Sequence, residues 1–316
     1  MLIRPETVRD YAAIAAVHAF AFDNHAAEAS IVALLRHHMA FDPDLSLVAE
    51  DAGQVVGHVL FSPYTVRLLG QDVRAVNLAP IAVHPAYQGK GIGGQLIREG
   101  HALAHAKGYP LSFLLGHPTY YPRFGYQTHV YGSSSLTIPA TSITPAELGR
   151  RAPIPGDIPI LHLMWLRDEG QVDFALDPGT DLMDWVSPSP IVQATVYTFE
   201  GDIVVGYMRT RKDNPGQPLV FLARAASVAL AMAGSIAHQG DAQTALTEIV
   251  LPLHPSSRSG AALGALDGAV WKTSAWGAGM ACPLAPSPFD EYHAQLKSGE
   301  RIPGRVIWPV AFEIAS

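Results

Sequence analysis

The 316-residue sequence contains one cysteine, Cys282. A single thiol excludes an intrachain disulfide and any multi-cysteine metal centre. It leaves Cys282 the role of a small apolar filler. Positive charge is also scarce. Lys and Arg number 21 against 28 Asp and Glu, a net charge of −7. That balance excludes a general affinity for nucleic acid or for an acidic membrane surface. A local basic site around Lys90 and Arg98 stays open. No uninterrupted apolar stretch reaches the ~18 residues of a membrane span. The N-terminal "MLIRPETVRDYAAIAAVHAFAF" interrupts its apolar positions with charges and lacks the cleavage site of a signal peptide. The expectation is a cytoplasmic protein with no membrane partner.

What is present is apolar. Hydrophobic residues make up 48% of the chain and are spread throughout, enough for sizeable cores. The length suits one large or two ordinary domains. "MLIRPET" reads as a short strand. Val8, Tyr11, Ile14, Ala15 and Val17 recur at helical spacing over 8–20, and a second helix is predicted over 26–40. "LSLVAED" and "VVGHVLFSPYTV" flank a Gly-containing turn and read as a hairpin. "VRAVNLAPIAV" at 73–83 is a long apolar strand and therefore central. A helix over 93–108 and a buried strand over 110–116 follow, then an irregular turn "TYYPRFGY" and another strand. This order is mixed α/β, not the regular alternation of a Rossmann sheet.

Between the strand and the helix lies "HPAYQGKGIGGQ". Its glycines permit positive φ and close backbone approach. Amides of Gln88, Gly89, Lys90, Gly91, Ile92 and Gly93 can converge on an anion at a helix N-terminus, with Lys90 adding charge. The loop fits neither the P-loop pattern nor the dinucleotide fingerprint. A pyrophosphate suits such a nest; a glycine-rich turn without a ligand is the plain alternative.

"NLAPIAVHPAYQGKGIGGQLI" resembles motif A of the GNAT N-acetyltransferases, in which [Gln/Arg]-x-x-Gly-x-[Gly/Ala] opens a helix. Gln88, Gly91 and Gly93 fill those positions. The next strand is followed by "YYPRFGY", where Tyr121 stands four residues before Gly125-Tyr126, as in the family. The resemblance covers roughly residues 1–130. It implies a GNAT fold with a central mixed, splayed sheet flanked by helices. It also implies acetyl-CoA as co-substrate, its pyrophosphate on Gln88–Gly93 and its pantetheine arm paired along Ile81, Ala82 and Val83. Pro80 cannot donate to a ladder, so an edge or a bulge is expected there.

Acetyl transfer needs a free amine, a polarised thioester carbonyl and a proton for the leaving thiolate. The resemblance makes Tyr121 the general acid, with Tyr120 the adjacent rival; a phenol near its normal pKa of ~10 is protonated at neutral pH. A backbone N–H near Ala82 is the expected carbonyl donor. The base stays open. The strand before the loop offers Asn77 where some family members carry a Glu. His117 is the first candidate, His84 and His58 are weaker ones, and a water chain is another route. No metal is expected: His37-His38 diverge on a helix, and His101/His105 read as a solvent-facing pair.

Residues 136–160 hold five prolines and read as a linker between domains at 1–135 and 161–316. "ATVYTFEGDIVVGYMRTRK" is similar to "LSLVAEDAGQVVGHVLFSPY", and each precedes a strand, a helix and a strand. The second half therefore reads as a smaller, degenerate GNAT-like domain that enters its helix through "FLARAASVALA" with no glycine loop. Tandem halves of this kind occur in acetyltransferases of the enhanced-intracellular-survival type, which carry a further sterol-carrier-like domain; the expectation is that 316 residues are too short for all three. The five tryptophans all fall in the second half and read as core. The function implied is acetyl transfer to a small-molecule or peptide amine, in a possible homodimer. An acyl-CoA-binding sensor and an interaction protein of the same fold are the alternatives.

Overall fold

The computed structural model describes residues 1–143, 147–237 and 246–315. β1 (Leu2–Pro5) leads into α1 (Tyr11–Ala21) and α2 (Ala27–Leu35). The predicted hairpin is β2 (Ser46–Asp51) and β3 (Gln54–Leu68), turning at Ala52-Gly53, both with positive φ. Such a turn matches the twist of its strands. β4 (Gln71–Val83), α3 (Ile92–Ala106) and β5 (Leu111–Leu115) follow. A single 3-10 turn over Tyr121–Phe124 precedes β6 (Tyr131–Pro139). The second half runs β7 (Gly149–Arg151), α4 (Ile158–Glu169), β8 (Val192–Phe199), β9 (Ile203–Arg211), β10 (Asn214–Ala223), α5 (Ala226–Ala237) and β11 (Glu248–Leu251). It ends with α6 (Arg258–Leu263), β12 (Val270–Ala275), β13 (Gly279–Pro283), α7 (Pro288–Ser298) and β14 (Gly304–Arg305). The sequence predicts a helix "AASVALAMAGSIAHQG" ending at Gly240 and a strand "ALTEIVLPLHP" from residue 245, and both of those limits lie outside the described residues.

Among the described residues, three sheets result. The first has the order β1-β2-β3-β4-β5-β13, antiparallel except for β4 and β5. α3 covers one face, where Leu96 and Ile97 meet Val59, Phe61, Val76 and Leu78. α2 covers the other, packing Ile31 and Leu35 on Leu60. α3 lies flush on β3 because residue 100 is glycine: a Cβ there would stand 2.0 Å from the Phe61 ring. The second sheet has the order β10-β9-β8-β7, and the third sets β6 between β11 and β12, with β14 also on β6. The strand–helix–hairpin–strand–helix–strand order from β1 to β5 recurs from β7 to β11, and β7 pairs with β8 as β1 pairs with β2.

The described residues of the segment expected as a linker over 136–160 are built into this architecture. Leu136–Pro139 belong to β6, Gly149–Arg151 form β7, and α4 begins at Ile158. Three of its prolines sit where proline costs little: Pro139 ends a strand, Pro155 opens a 3-10 turn and Pro159 lies in the first turn of α4. Nor do the sheets respect limits at 135 and 161. β6 leaves the first half to pair with β11, and β13 returns from the second half to pair with β5. The first sheet gains a strand from the second half, and the third sheet is built around a strand of the first. Trp165 and Trp185 fill the second half's core as expected. Cys282 is buried under the Tyr121–Phe124 turn, and burial pushes its thiol up to about 11.

Several imidazoles are inside. His18 Nε2 and His58 Nδ1 share a 2.8 Å hydrogen bond, and burial drives His18 down to about 2 and lowers His58. Burial opposes ionisation of Glu6, but bonds from His58 and Arg36 prevail and hold its carboxyl at about 2. His101 corrects an expectation. It does not face solvent: it is bonded to the Tyr126 hydroxyl at 2.9 Å, lies edge-on to Phe61 and is lowered to about 4 by burial. The flush seat of α3 at Gly100 draws the next side chain inward. For His18 and His101 the folded pKa lies below the unfolded one, so the unfolded chain takes up protons first as pH falls. Stability is full above about pH 7 and declines below about 6.5. Between pH 7 and 5 each imidazole should remove about 2 kcal/mol. Urea midpoints across that range should fall, and fall less in His101→Gln; a flat profile would contradict the burial argument.

Candidate active site: a groove beside a splayed strand

β4 and β5 pair only from Ala75↔Leu111 to Asn77↔Phe113 and then part. Two features mark the parting. Asn77, fully buried, donates its side-chain amide to Phe113 O at 3.2 Å. Two residues on, the Ala79-Pro80 bond is cis, and the β3–β4 ladder shifts register between Val59↔Ile81 and Phe61↔Leu78. The expected bulge at Pro80 is there. Asn77 is a structural clip, and no carboxylate takes its place.

Beyond the parting, β4 keeps only β3 as a partner. His84 donates its N–H to Val56 O. Antiparallel pairing alternates, so Ala82 also turns its amide to β3, while Ile81 and Val83 turn theirs to the gap. The donors near Ala82 are thus its two neighbours. Free main-chain groups along such an edge are unmet hydrogen-bonding capacity that an amide-bearing arm can satisfy.

The edge runs directly into the glycine loop. Gln88 donates its side-chain amide to Val83 O at 3.0 Å, pinning the loop to the strand end. Gly91 caps α3 at φ +78°, a left-handed conformation that only glycine adopts without strain. The first-turn amides of α3 stand free at the loop, as at any helix start. The groove has a volume of about 830 Å3. Its wall brings together Ile81, Ala82, Val83, Gln88, Gly89, Gly91, Ile92, Gly93, His117 and Tyr121. Lys90 is the exception: its ammonium lies over the Tyr87 ring, 4.5 Å from the centroid, and not on the wall.

The two tyrosines divide the groove. A Cβ on Gly93 would stand 2.9 Å from the Tyr120 hydroxyl, so Tyr120 closes over the loop. Tyr121 instead packs against Gly116 at the end of β5, by the parted strands, and burial pushes its phenol up to about 12, with Tyr120 adding to the rise. His117 lies exposed between β5 and this turn. His58, buried against His18, and His84, which caps the turn at Ala86, stay off the wall.

Arg123 was missed by sequence reasoning. Its guanidinium donates to Tyr120 O, covers the Tyr120 ring at 4.4 Å and lines the groove with Arg98. Neither arginine has a carboxylate partner among the described residues. The signal was a basic residue inside the tyrosine turn. Among the described residues no group of three His, Cys, Asp or Glu could hold a metal, and no helix is long and apolar enough to cross a membrane.

A splayed parallel pair, a glycine-capped helix and a tyrosine turn over the gap define an acyltransferase-type fold and site. The family model of the acetyltransferase (GNAT) domain matches residues 2–129. The uncharacterized N-acetyltransferase YhbS of Escherichia coli is 38% identical over 142 residues, 45% of this chain and 82% of that protein. The uncharacterized N-acetyltransferase YjhQ of Escherichia coli is 44% identical over 100 residues, 32% of this chain and 55% of YjhQ, so the match spans about half of that relative's length. A GCN5-related N-acetyltransferase from Anabaena variabilis shares the fold at a TM-score of 0.66 and 15% identity, over 90% of this chain and 72% of that one. The chain belongs to the GNAT N-acetyltransferase family.

Proposed function

We propose that the protein transfers the acetyl group of acetyl-CoA to an amine by direct attack. The observation that carries this reading is the continuous run from the free β4 edge at Ile81 and Val83 into the α3 N-terminus. An extended amide chain ending in a pyrophosphate matches that run group for group. Loop amides from Gln88 to Gly93 bind the pyrophosphate, assisted by the helix field and by Arg98 and Arg123. The Ile81 and Val83 edges hold the pantetheine arm. The reaction forms an N–C bond and breaks a C–S bond; one proton leaves nitrogen and one reaches sulfur. Tyr121, protonated at every working pH, donates to the departing sulfur. His117, or water beside it, receives the proton from nitrogen.

Calorimetric titration with acetyl-CoA tests the reading. One site per chain is expected, since α5 begins without a glycine loop. A released thiol should appear only when a suitable amine is added. Two sites would assign a cofactor to the second half, and absence of binding by folded protein would end the proposal.

A further inference from the structure

Beside α2 lies a cavity of about 270 Å3 that shares no wall residue with the cofactor groove. The end of α2, β3, α4, the second sheet and residues 307–311 enclose it. Leu34, Trp165, Leu176, Val220 and Trp308 make its lining largely apolar, and Met39 and Met183, both exposed, stand at its rim. Its floor is already fixed. Trp185 donates its indole N–H to Gly179 O at 3.2 Å, and Tyr207 donates its hydroxyl to Trp185 O. A preformed apolar space of this kind suits a small molecule of one ring and a short chain.

Its charge is mainly of one sign. Asp177, Asp181 and Asp184 line it against a single guanidinium, Arg209, which is held by Glu313 at 3.0 Å. Two of these carboxylates are only half used. Asp177 Oδ1 meets His162 Nε2 at 2.7 Å and accepts the Gly179 N–H at 2.9 Å, while Oδ2 has no partner among the described residues. Asp184 Oδ2 accepts the Asp181 N–H at 2.9 Å, while Oδ1 meets only His38 Nε2, at 3.4 Å. Neither oxygen is sealed off, since the two side chains keep 34% and 11% of their surface open. Burial raises the Asp184 carboxyl above its ordinary value, and the charges of Asp181 and Asp177 add to the rise. A cation beside it would relieve both causes. Tyr64 stands on the same wall, 8% exposed, and its hydroxyl has no partner among the described residues.

We infer that this cavity is a second ligand site, for a small organic cation with one ammonium group and an apolar body. The body fills the space between α2 and the second sheet, and the ammonium donates to Asp177 and Asp184. An anion would face three carboxylates there, and a neutral molecule would leave them without counter-charge. The site is apart from the acetyl-transfer gap: none of Ile81, Ala82, Val83, His117 or Tyr121 lines it. The inference therefore stands whether or not the acetyl-transfer reading does.

The test is calorimetric titration of the full chain, without acetyl-CoA, with phenethylamine, 2-phenylethanol and 3-phenylpropanoate. These share a ring and a two-carbon chain and differ in charge. Phenethylamine should bind at one site per chain, and the other two at least about tenfold more weakly. The double variant Asp177→Asn/Asp184→Asn keeps an oxygen for the Gly179 and Asp181 amides. It should weaken phenethylamine about tenfold or more and 2-phenylethanol by less than about threefold. Saturating CoA should leave the Kd for phenethylamine within about threefold, because the two sites have no residue in common. Equal binding of the three compounds would overturn the inference, and so would absence of saturable binding by phenethylamine. Unchanged affinity in the double variant, or competition by CoA, would place the cation elsewhere and overturn it as well. The comparison of the three compounds on the wild-type chain decides the matter even where the variant does not fold.

Discussion

Replacing Tyr121 by phenylalanine should lower kcat by about 100-fold or more, the usual effect of removing a positioned proton donor. The ring, its contact with Gly116 and its edge-on approach to Tyr126 are retained, so the fold should stand. KM for acetyl-CoA should change by no more than about threefold, because the interaction lost is one that matters as sulfur takes up charge. The pH profile adds a second readout. With the phenol at about 12, Tyr121 contributes no alkaline limb in the accessible range, and wild type and variant should share one profile shape. Tyr120→Phe is the comparison. Its hydroxyl sits over Gly93, so its loss should weaken acetyl-CoA binding and leave kcat nearly intact. The opposite pattern, with kcat lost in Tyr120→Phe and kept in Tyr121→Phe, would exchange the two roles.

The second large effect belongs to the loop. Gly91→Glu should raise the Kd for acetyl-CoA by about 100-fold or more. Two causes combine. A side chain at φ +78° strains the cap by about 1–2 kcal/mol. The new carboxylate also faces the amides that the pyrophosphate needs. No heavy atom stands within 4 Å of a Cβ at this position, so the variant has room to fold. Gly91→Ala separates the causes, since it brings the strain without the charge. It should lose only a small part of the affinity, read by the same calorimetric titration. Equal affinity in Gly91→Glu and wild type would place the anion elsewhere.

The first half was largely legible. The hairpin, β4, α3 and β5 each lie within a few residues of their predicted limits, because alternation and helical period dictate them locally. The bulge followed from Pro80 alone, since a proline inside a buried strand leaves few options. The place of the loop between β4 and α3 followed from glycine spacing. What failed depended on neighbours distant in sequence. His101 and His105 looked like one exposed face, but residue 100 has no Cβ, and that brings His101 against Phe61 and Tyr126. Lys90 was placed on the anion by its charge, and in the structure it lies over the Tyr87 ring. The proline-rich stretch looked like a linker because proline was counted without its positions. No local signal tells β6 that its partner is β11, more than 100 residues away.

That exchange of strands has a consequence on the ribosome. A nascent chain emerges from its N-terminus, at roughly 5–20 residues per second. β5 is then released well before β13, its neighbour on the outer edge. For roughly 8–33 s the first sheet has an open border that can pair with any passing strand. β6 meanwhile waits for β11. The first half cannot close during its own synthesis, so a pause between residues 139 and 248 would lengthen the exposure of both β5 and β6. Codon choice and chaperone occupancy over that stretch, more than over the catalytic segment itself, should set the yield of active protein.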